Sequence, residues 1–412
     1  MTTSALFSPL TLPNGLTIPN RLVKAAMEEN MAAPGQCPGA ALHNLYGVWA
    51  HGGAGLIITG NVMIDGRALT GPGGIVLEAG TELAGFREWA RVAQSGGGRI
   101  FMQINHPGRQ VMANMGGITW APSSVSLQMG KHSGLFAQPK AMSEAEIMEV
   151  VVRFGDTAVA AEAAGFDGVE IHAAHGYLLS QFLSPLTNRR LDQWGGSLSN
   201  RARMLLSVVS EIRRRVRPGF ALAIKLNSAD FQRGGFSESD ARQVILWLNE
   251  LAVDLVELSG GSYESPAMQG QSTDGRTLER EAYFLEFARD LAMVARMPVM
   301  TTGGIRRRAV AEEVLASGVA LVGMATALAS VPDLPLLWQA DGNQAVYVAP
   351  IKWKDQVMAA VARSAIVKRQ LRLMGARRRL PASLSALGSL ILDQVRMRVL
   401  TRRYRRWSQT RA

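Results

Sequence analysis

Short apolar runs alternate with longer amphipathic stretches along most of the chain, from about residue 22 to residue 327. The apolar runs are nearly continuous, which is typical of parallel strands that are buried on both faces. Amphipathic stretches with a helical period separate most of these runs, as expected of βα units. The predicted strands are Leu22–Met27, Gly55–Ile64, Arg99–His106, Gly168–His175, Ala221–Asn227, Leu255–Gly261, Pro298–Gly304 and Leu321–Ala327.

Eight predicted strands in series favour a closed (β/α)8 TIM barrel, an α/β fold, over an open sheet. Upstream of the first strand, Asn14-Gly15 lies between two short apolar runs. This pair predicts a small N-terminal hairpin, which we expect to close the bottom of the barrel. We assign residues 1–340 to the barrel. The predicted helices are Leu83–Ser95, Glu144–Ala164, Asn200–Val216, Glu238–Leu251, Glu281–Ala295 and Ala309–Ser317.

Charge separates the last part of the chain from the barrel. Residues 351–412 contain 16 Lys and Arg and only two acids, a net charge of +14, whereas the first 350 residues carry −3. The basic character therefore belongs to one segment and not to the whole protein. We treat residues 341–412 as a basic C-terminal extension with predicted helices at Trp353–Met374 and Leu384–Arg403.

Two interpretations of the C-terminal extension stay open. Its helices combine basic and apolar faces, which suits a peripheral contact with an anionic membrane surface. The alternative, which we favour, is a helical pair that docks on the barrel or on a second copy in a homo-oligomer. Nucleic-acid binding is not expected, because few aromatic residues lie among the basic ones.

A single cysteine, Cys37, limits the chemistry that the chain can support. One cysteine cannot form an intramolecular disulfide or hold an iron–sulfur cluster, and it favours a reducing, cytoplasmic setting. The N-terminus shows no secretory signal, and no apolar run reaches the roughly 18 residues of a membrane helix.

The candidate chemistry lies at the end of the fourth predicted strand, where barrel enzymes carry their active sites. His172 and His175 can donate hydrogen bonds to an oxygen that gains negative charge, and Tyr177 can deliver a proton. This set suits reduction of an alkene conjugated to a carbonyl or nitro group. The same residues also fit two structural histidines and a packing tyrosine. A metal site is not expected, because no further histidine or cysteine cluster accompanies the pair.

Longer motifs give the chain a resemblance to a known family. The stretch from Gly168 to Arg203, which begins GVEIHAAHGYLLSQF, resembles the Old Yellow Enzyme family of FMN-dependent ene reductases. The resemblance extends from about Leu10 to about Leu334. It also includes Asn20–Met27, Gln103–Arg109, Ala121–Ser123, Gly303–Ile305 and Pro332-Asp333.

This resemblance implies roles for individual residues and an electron donor, NADH or NADPH. His172 and His175 would bind the activating group of the substrate, and Tyr177 would protonate its α-carbon. Gln103 would contact the pyrimidine edge of FMN, and Lys225 would lie beside N1 and the C2 carbonyl. The other residues implied to contact FMN are Ala25, Ala26, Met27, Glu28 and Gly60 along the flavin, and Gly303, Gly304, Ala325 and Thr326 at its phosphate.

Three departures from the family pattern affect the cofactor. Thr326 stands where the family usually has an arginine that clamps the phosphate, so we expect weaker retention of FMN. Glu28 stands where a Thr, Ser or Cys often approaches the flavin; it either disfavours the reduced flavin or pairs with a cation. The iron–sulfur and second nucleotide-binding domains of some members are not expected, so a nicotinamide must reduce the flavin in the same barrel.

The sequence leaves other functions open. The same barrel could oxidise or demethylate an amine or C–H substrate, or act as a dienoyl-CoA reductase-like enzyme. A membrane-recruited binding protein whose barrel has lost catalysis is the non-enzymatic alternative. The retained His172, His175 and Tyr177 set favours an ene reductase over this last possibility.

Overall fold

Parallel strands form the body of the protein in this computed structural model, which describes residues 4–265, 281–340, 342–381 and 383–411. In chain order the strands are β1 Leu10–Thr11, β2 Thr17–Ile18, β3 Leu22–Lys24, β4 Leu56–Ile58, β5 Val62–Met63, β6 Ile75–Val76, β7 Arg99–Asn105, β8 Trp120–Ala121, β9 Lys140–Ala141, β10 Gly168–Ala173, β11 Ala221–Asn227, β12 Leu255–Ser259, β13 Val299–Thr301 and β14 Leu321–Met324.

Eight of these strands close into a barrel. Parallel pairing runs from β3 through β4, β7, β10, β11, β12, β13 and β14, and β14 pairs with β3 to complete the ring. The antiparallel pair β1–β2 forms the expected hairpin, and Leu12 and Ile18 from this region pack with residues inside the barrel. The predicted (β/α)8 fold is therefore confirmed.

Most strands are shorter than the apolar pattern predicts, because the residues that follow them leave the ladder. β3 ends at Lys24 rather than Met27, and β13 ends at Thr301 rather than Gly304. Gly303 and Gly304 adopt φ values of 117° and 72°, which end the extended conformation. The predicted strand Gly55–Ile64 is likewise divided into β4 and β5. These departures lie at the carboxyl ends, where the mouth of the barrel forms.

Helices follow the strands and cover the barrel. Two of them, which begin at Glu144 and Glu238, have capping boxes formed by Ser143 with Glu146 and by Ser237 with Asp240. Their bounds are α1 Ala40–Ala50, α2 Ala84–Gln94, α3 Glu144–Ala163, α4 Leu178–Leu183, α5 Leu198–Arg215, α6 Glu238–Leu248, α7 Leu285–Ala292, α8 Arg308–Ala316, α9 Thr326–Ser330, α10 Leu334–Gln339, α11 Gln356–Gly375 and α12 Ala386–Gln409.

The sequence analysis missed α1. Its buried residues include Leu42, Leu45, Tyr46 and Trp49, a helical spacing that was available in the sequence. The segment before α1 contains glycine and proline, and Gly39 at the N-cap position provides no side-chain hydrogen bond. No local capping signal therefore predicts where this helix begins.

The C-terminal extension docks on the carboxyl-end rim of the barrel. Helix α11 packs against α1 and α9, and α12 packs against α11 and the short helical turns at 34–36 and 113–115. The Tyr404 hydroxyl donates to the Gly66 carbonyl at 2.9 Å, and Arg411 pairs with Glu78 at 2.6 Å. No helix among the described residues is long and apolar enough to cross a membrane. The boundary at 340/341 stays a prediction, and Asp341 lies outside the described residues.

Tyr404 offers a test of this docking. Its side chain is 1% exposed and its hydroxyl has one partner, so Tyr404→Phe leaves the Gly66 carbonyl without a donor. We expect the free energy of unfolding to fall by about 1 kcal/mol, measured by urea titration. The matched control is Tyr347→Phe, since Tyr347 is 81% exposed. Equal stability of the two variants would contradict the docked position.

Candidate active site

Alternation of side chains along the strands places four polar residues inside the barrel. On β11, Ala221 and Ala223 join the apolar interior, so Lys225 faces the same way. The same rule directs Gln103 of β7, Glu170 of β10 and Glu257 of β12 inward. Glu170 lies beside Gln103 in the register, and Lys225 lies beside Glu257. We call these four residues the interior polar layer.

Charge is balanced within the interior polar layer. Lys225 Nζ donates to Glu257 Oε1 at 2.5 Å, and Gln103 Nε2 donates to Glu170 Oε1 at 2.7 Å. Burial, and next the neighbouring Glu257 carboxylate, raise the pKa of Glu170 well above its ordinary value, so this carboxyl group holds its proton. The layer thus contains one ion pair and one neutral acid, and Lys225 shares its charge with Glu257.

A second buried cation lies on the outer side of β3. Burial lowers the pKa of Lys24 to about 8, and the Glu29 carboxylate opposes this shift. Lys24 Nζ donates to the Ile58 carbonyl at 2.8 Å and lies 4.4 Å from the Trp49 ring centre. This lysine ties β3 to β4 and α1, and the sequence analysis did not single it out.

His172, His175 and Tyr177 come together above the interior polar layer. The His172 ring centre lies 4.9 Å from that of His175 and 4.8 Å from that of Tyr177, both edge to face. His175 adopts φ 60°, and its Nε2 lies 2.7 Å from Ser259 Oγ. The strained backbone at His175 turns its ring back over the barrel mouth. The three residues predicted from the sequence therefore form one cluster.

Hydrogen bonding sets the proton position on His172. Its Nδ1 accepts from the Ala174 backbone N–H at 3.2 Å, so the neutral ring carries its proton on Nε2. Burial, followed by repulsion from a protonated His175 and from Lys225, lowers the pKa of His172 well below its ordinary value. Burial and Lys225 lower the pKa of His175 in the same way. At neutral pH both rings are uncharged, and His172 presents an N–H donor.

Tyr177 is buried and has a second tyrosine as its partner. The hydroxyls of Tyr177 and Tyr263 lie 3.0 Å apart, and Tyr263 also packs against Phe136. Burial, with the neighbouring Tyr263 and Glu28, raises the pKa of Tyr177 well above its ordinary value. Tyr177 therefore stays protonated and can act as an acid but not as a base.

The turns predicted to hold the phosphate lie side by side. Gly303 and Gly304 follow β13, and Ala325 and Thr326 follow the neighbouring β14. A Cβ at Gly304 would lie 2.5 Å from the Tyr283 hydroxyl, so only glycine fits beneath that ring. Thr326 begins α9 and offers only a hydroxyl and its backbone.

The residues predicted to line the flavin differ in what they can offer. Residues 25–27 follow β3 at the barrel mouth, and the Ala25 N–H is already bonded to the Met324 carbonyl. The Gly60 N–H is bonded to Glu29 Oε1 and the Tyr46 hydroxyl, both at 3.1 Å. A Cβ at Gly60 would lie 2.0 Å from Glu29 Oε2. The close approach of Glu29 therefore favours glycine at this position independently of any contact with the flavin.

Glu28 has a cation partner from the C-terminal extension. Thr70 Oγ1 donates to its carboxylate at 2.6 Å, and Lys368 Nζ of α11 lies 3.8 Å away. Of the two alternatives for Glu28, the geometry agrees with pairing to a cation. Whether Glu28 also contacts the flavin stays a prediction.

The donor set at the mouth fits the pyrimidine edge of a flavin. Gln103 supplies an amide that can donate and accept, Lys225 supplies an ammonium group, and both are buried at the top of the barrel interior. Glu170 also hydrogen-bonds to Glu257 through the proton that it holds, so the two carboxyl groups are joined within this layer. These residues would hold FMN from below, while the β13 and β14 turns would hold its phosphate.

Sequence reasoning missed two residues of the cluster. Glu257 lies two residues after Leu255 on β12, so the two side chains share one face of the strand. The inward position of Glu257 could therefore be predicted once Leu255 was assigned to the barrel interior. Tyr263 lies beyond the strand end, and its contact with Tyr177 depends on the path of a loop. No local pattern could have found that contact.

Comparison with known proteins places the barrel among flavin enzymes. The model of the NADH:flavin oxidoreductase / NADH oxidase family matches residues 5–341. A relative from Hypocrea jecorina (strain QM6a), described as NADH-dependent flavin oxidoreductase iliE, is 37% identical over 351 residues, which are 79% of this chain and 87% of the relative. The match to the family ends where the C-terminal extension begins.

Two solved structures share the fold. An Old Yellow Enzyme homologue from Zymomonas mobilis gives a TM-score of 0.70 at 23% identity, covering 84% of this chain and 95% of that one. A morphinone reductase mutant in complex with tetrahydroNAD gives 0.69 at 25% identity, covering 84% and 92%.

The neutral histidines predict an acid-sensitive fold. Because burial lowers the folded-state pKa of His172 and His175, the unfolded chain takes up their protons first as the pH falls below 6.5. Their contribution to stability is intact above pH 6.5 and is lost below it. Relative to a His172→Asn/His175→Asn variant, the protein should lose about 1.4 kcal/mol of unfolding free energy per histidine between pH 7.5 and 5.5.

Urea titrations of both proteins at each pH measure this difference. Between pH 7.5 and 8.5 their stabilities should change in parallel, because neither folded nor unfolded histidine titrates there. Parallel curves over the acidic range as well would mean that the rings are already charged or solvated in the folded protein.

Proposed function

Because the chain belongs to the NADH:flavin oxidoreductase / NADH oxidase family, which includes the Old Yellow Enzymes, we propose that it reduces alkenes activated by a carbonyl or nitro group. The enzyme is a flavin oxidoreductase that uses FMN and a nicotinamide donor. When bound, FMN supplies hydride transfer between donor and substrate. The alkene substrate is the part that we propose.

The neutral donor above the interior polar layer carries this proposal. In the reduction of an enone or nitroalkene, negative charge grows on the carbonyl or nitro oxygen. His172 Nε2–H is oriented by its Nδ1 bond to Ala174 and can donate to that oxygen, and His175 lies against it. Preorganised donors stabilise such charge without rearrangement.

Tyr177 supplies the second requirement, a proton for the α-carbon. Its ring touches that of His172, and its hydroxyl remains protonated because burial disfavours the phenolate. The hydroxyls of Tyr263 and Tyr177 share a hydrogen bond, which fixes the position of the Tyr177 hydroxyl in the barrel mouth. A donor for the oxygen and an acid for the carbon are thus adjacent.

Other reactions suit the same barrel less well. Oxidation of an amine or C–H substrate, or demethylation, generates no oxyanion for the histidines to stabilise. A dienoyl-CoA substrate would need the same oxyanion contact together with a site for the CoA moiety. A requirement for CoA in the substrate would identify this narrower range.

Tyr177→Phe separates the two half-reactions. We expect reduction of a simple cyclic enone to slow by about 10²-fold, because the acid is lost, while flavin reduction by NADH stays within roughly twofold of the parent. Anaerobic stopped-flow absorbance at the flavin band measures each step. Tyr347→Phe, at an exposed position, is the control and should alter neither step. Equal loss in both half-reactions would remove the acid role of Tyr177.

A second proposal concerns the outer surface of α12. Leu387, Ile391, Val395 and Val399 follow one another at intervals of four residues, and each is more than half exposed. The two acids of residues 351–412 are paired with cations, Asp355 with Lys131 and Asp393 with Arg372. An apolar stripe within a strongly basic segment complements an anionic lipid bilayer, and we propose a peripheral contact of this kind.

Vesicle sedimentation tests this contact on the full-length protein. Binding should require phosphatidylserine in phosphatidylcholine vesicles and should fall at least about tenfold in Ile391→Asp/Val395→Asp. Met148→Asp/Val152→Asp is the matched control, because these residues have the same spacing and are 45% exposed on α3. Equal binding by both variants would contradict the proposal. So would a dimer in solution that Ile391→Asp/Val395→Asp disrupts without lipid.

A further inference from the structure

The predicted phosphate turns lack the arginine that the family usually provides, yet a cation from the C-terminal extension lies nearby. Helix α11 packs against α9, which Thr326 begins, and Gln370 Nε2 donates to Ser330 Oγ at 3.3 Å. Arg363 lies seven residues before Gln370, so both side chains leave the same face of α11. This face is directed at the loops that follow β13 and β14.

Arg363 has no hydrogen bond or ion pair with any residue that the structure describes. Its Nε atom is buried without a partner. The other arginines of α11 are engaged, Arg369 with Ser389 and Arg372 with Asp393. A partly buried guanidinium without a counter-charge is costly, and the cost is removed if an anion occupies the same place.

The neighbours of Arg363 identify that place. Tyr283 covers the Gly303-Gly304 turn, with its N–H donating to the Gly303 carbonyl at 3.3 Å. Burial raises the pKa of Tyr283, and the positive charges of Arg306 and Arg363 oppose this rise, so both charges act on the Tyr283 side chain. Arg306 is already bonded to Glu281 at 3.0 Å, whereas no ion pair engages Arg363 within the part of the chain that the structure describes.

We propose that Arg363 binds the phosphate of FMN and replaces the arginine absent at Thr326. The C-terminal extension then completes the cofactor site from outside the family barrel. This inference rests on FMN binding and not on the proposed alkene substrate, so the two can fail separately. It also reverses the expectation that Thr326 leaves FMN weakly held.

Comparison of FMN with riboflavin tests this proposal, because riboflavin lacks only the phosphate. With full-length protein freed of flavin, Arg363→Ala should weaken FMN binding by about 10- to 100-fold and change riboflavin binding by less than about twofold. Quenching of flavin fluorescence on titration gives both affinities. Ultrafiltration of the holoenzyme should show the same selective release of FMN.

Two further variants complete the test. Arg363→Gln keeps the length and hydrogen-bonding ability of the side chain but removes its charge, and it should show the same selective loss. Arg369→Ala is the matched control on α11 and should bind both flavins like the parent. Unchanged FMN affinity in Arg363→Gln would overturn the proposal, as would equal loss of FMN and riboflavin in both Arg363 variants.

Discussion

The active site depends on one constraint, the alternation of side chains along parallel strands that close into a ring. Residues two apart on a strand share the barrel interior, so Gln103, Glu170, Lys225 and Glu257 meet although they lie far apart in the chain. The next inward position on β10 is His172, directly above Glu170. Apolar residues fill the lower interior, and the interior polar layer lies above them towards the carboxyl-end mouth.

Burial of these groups determines how they can act. In a poorly solvated interior, a charge persists only beside a partner, as for Lys225 with Glu257, or is given up, as for Glu170 and the two histidines. The result is a neutral N–H donor on His172 above the ion pair of Lys225 with Glu257. Arg363 differs from these groups, because its Nε is buried without a partner among the described residues, and this points to an anion.

The C-terminal extension contacts a residue that the sequence assigns to the cofactor site. It brings Lys368 to Glu28, packs α11 against α9, and is held by the hydrogen bond from the Tyr404 hydroxyl to the Gly66 carbonyl. Its charge excess was visible in the sequence, but the individual partners were not. Side chains from α11 reach residues more than 300 positions away, and such contacts depend on how a helical pair docks. A family pattern that ends near residue 341 carries no information about them.

The sequence by itself determined the barrel, its strand order and the cluster of His172, His175 and Tyr177, because continuous apolar runs, helical periodicity and a strand-end motif are all local patterns. It also predicted β11 to the residue, since that strand is apolar except for Lys225 and its last residue, Asn227. It overextended β3 and β13, where the backbone leaves the ladder. Only the tertiary structure decided the partner of Glu28, the pairing of Lys225 with Glu257, the contact of Tyr263 with Tyr177 and the position of Arg363. Each of these features depends on contacts between residues that are far apart in the chain. Whether such residues meet is decided by the packing of the elements that carry them and not by a local sequence pattern.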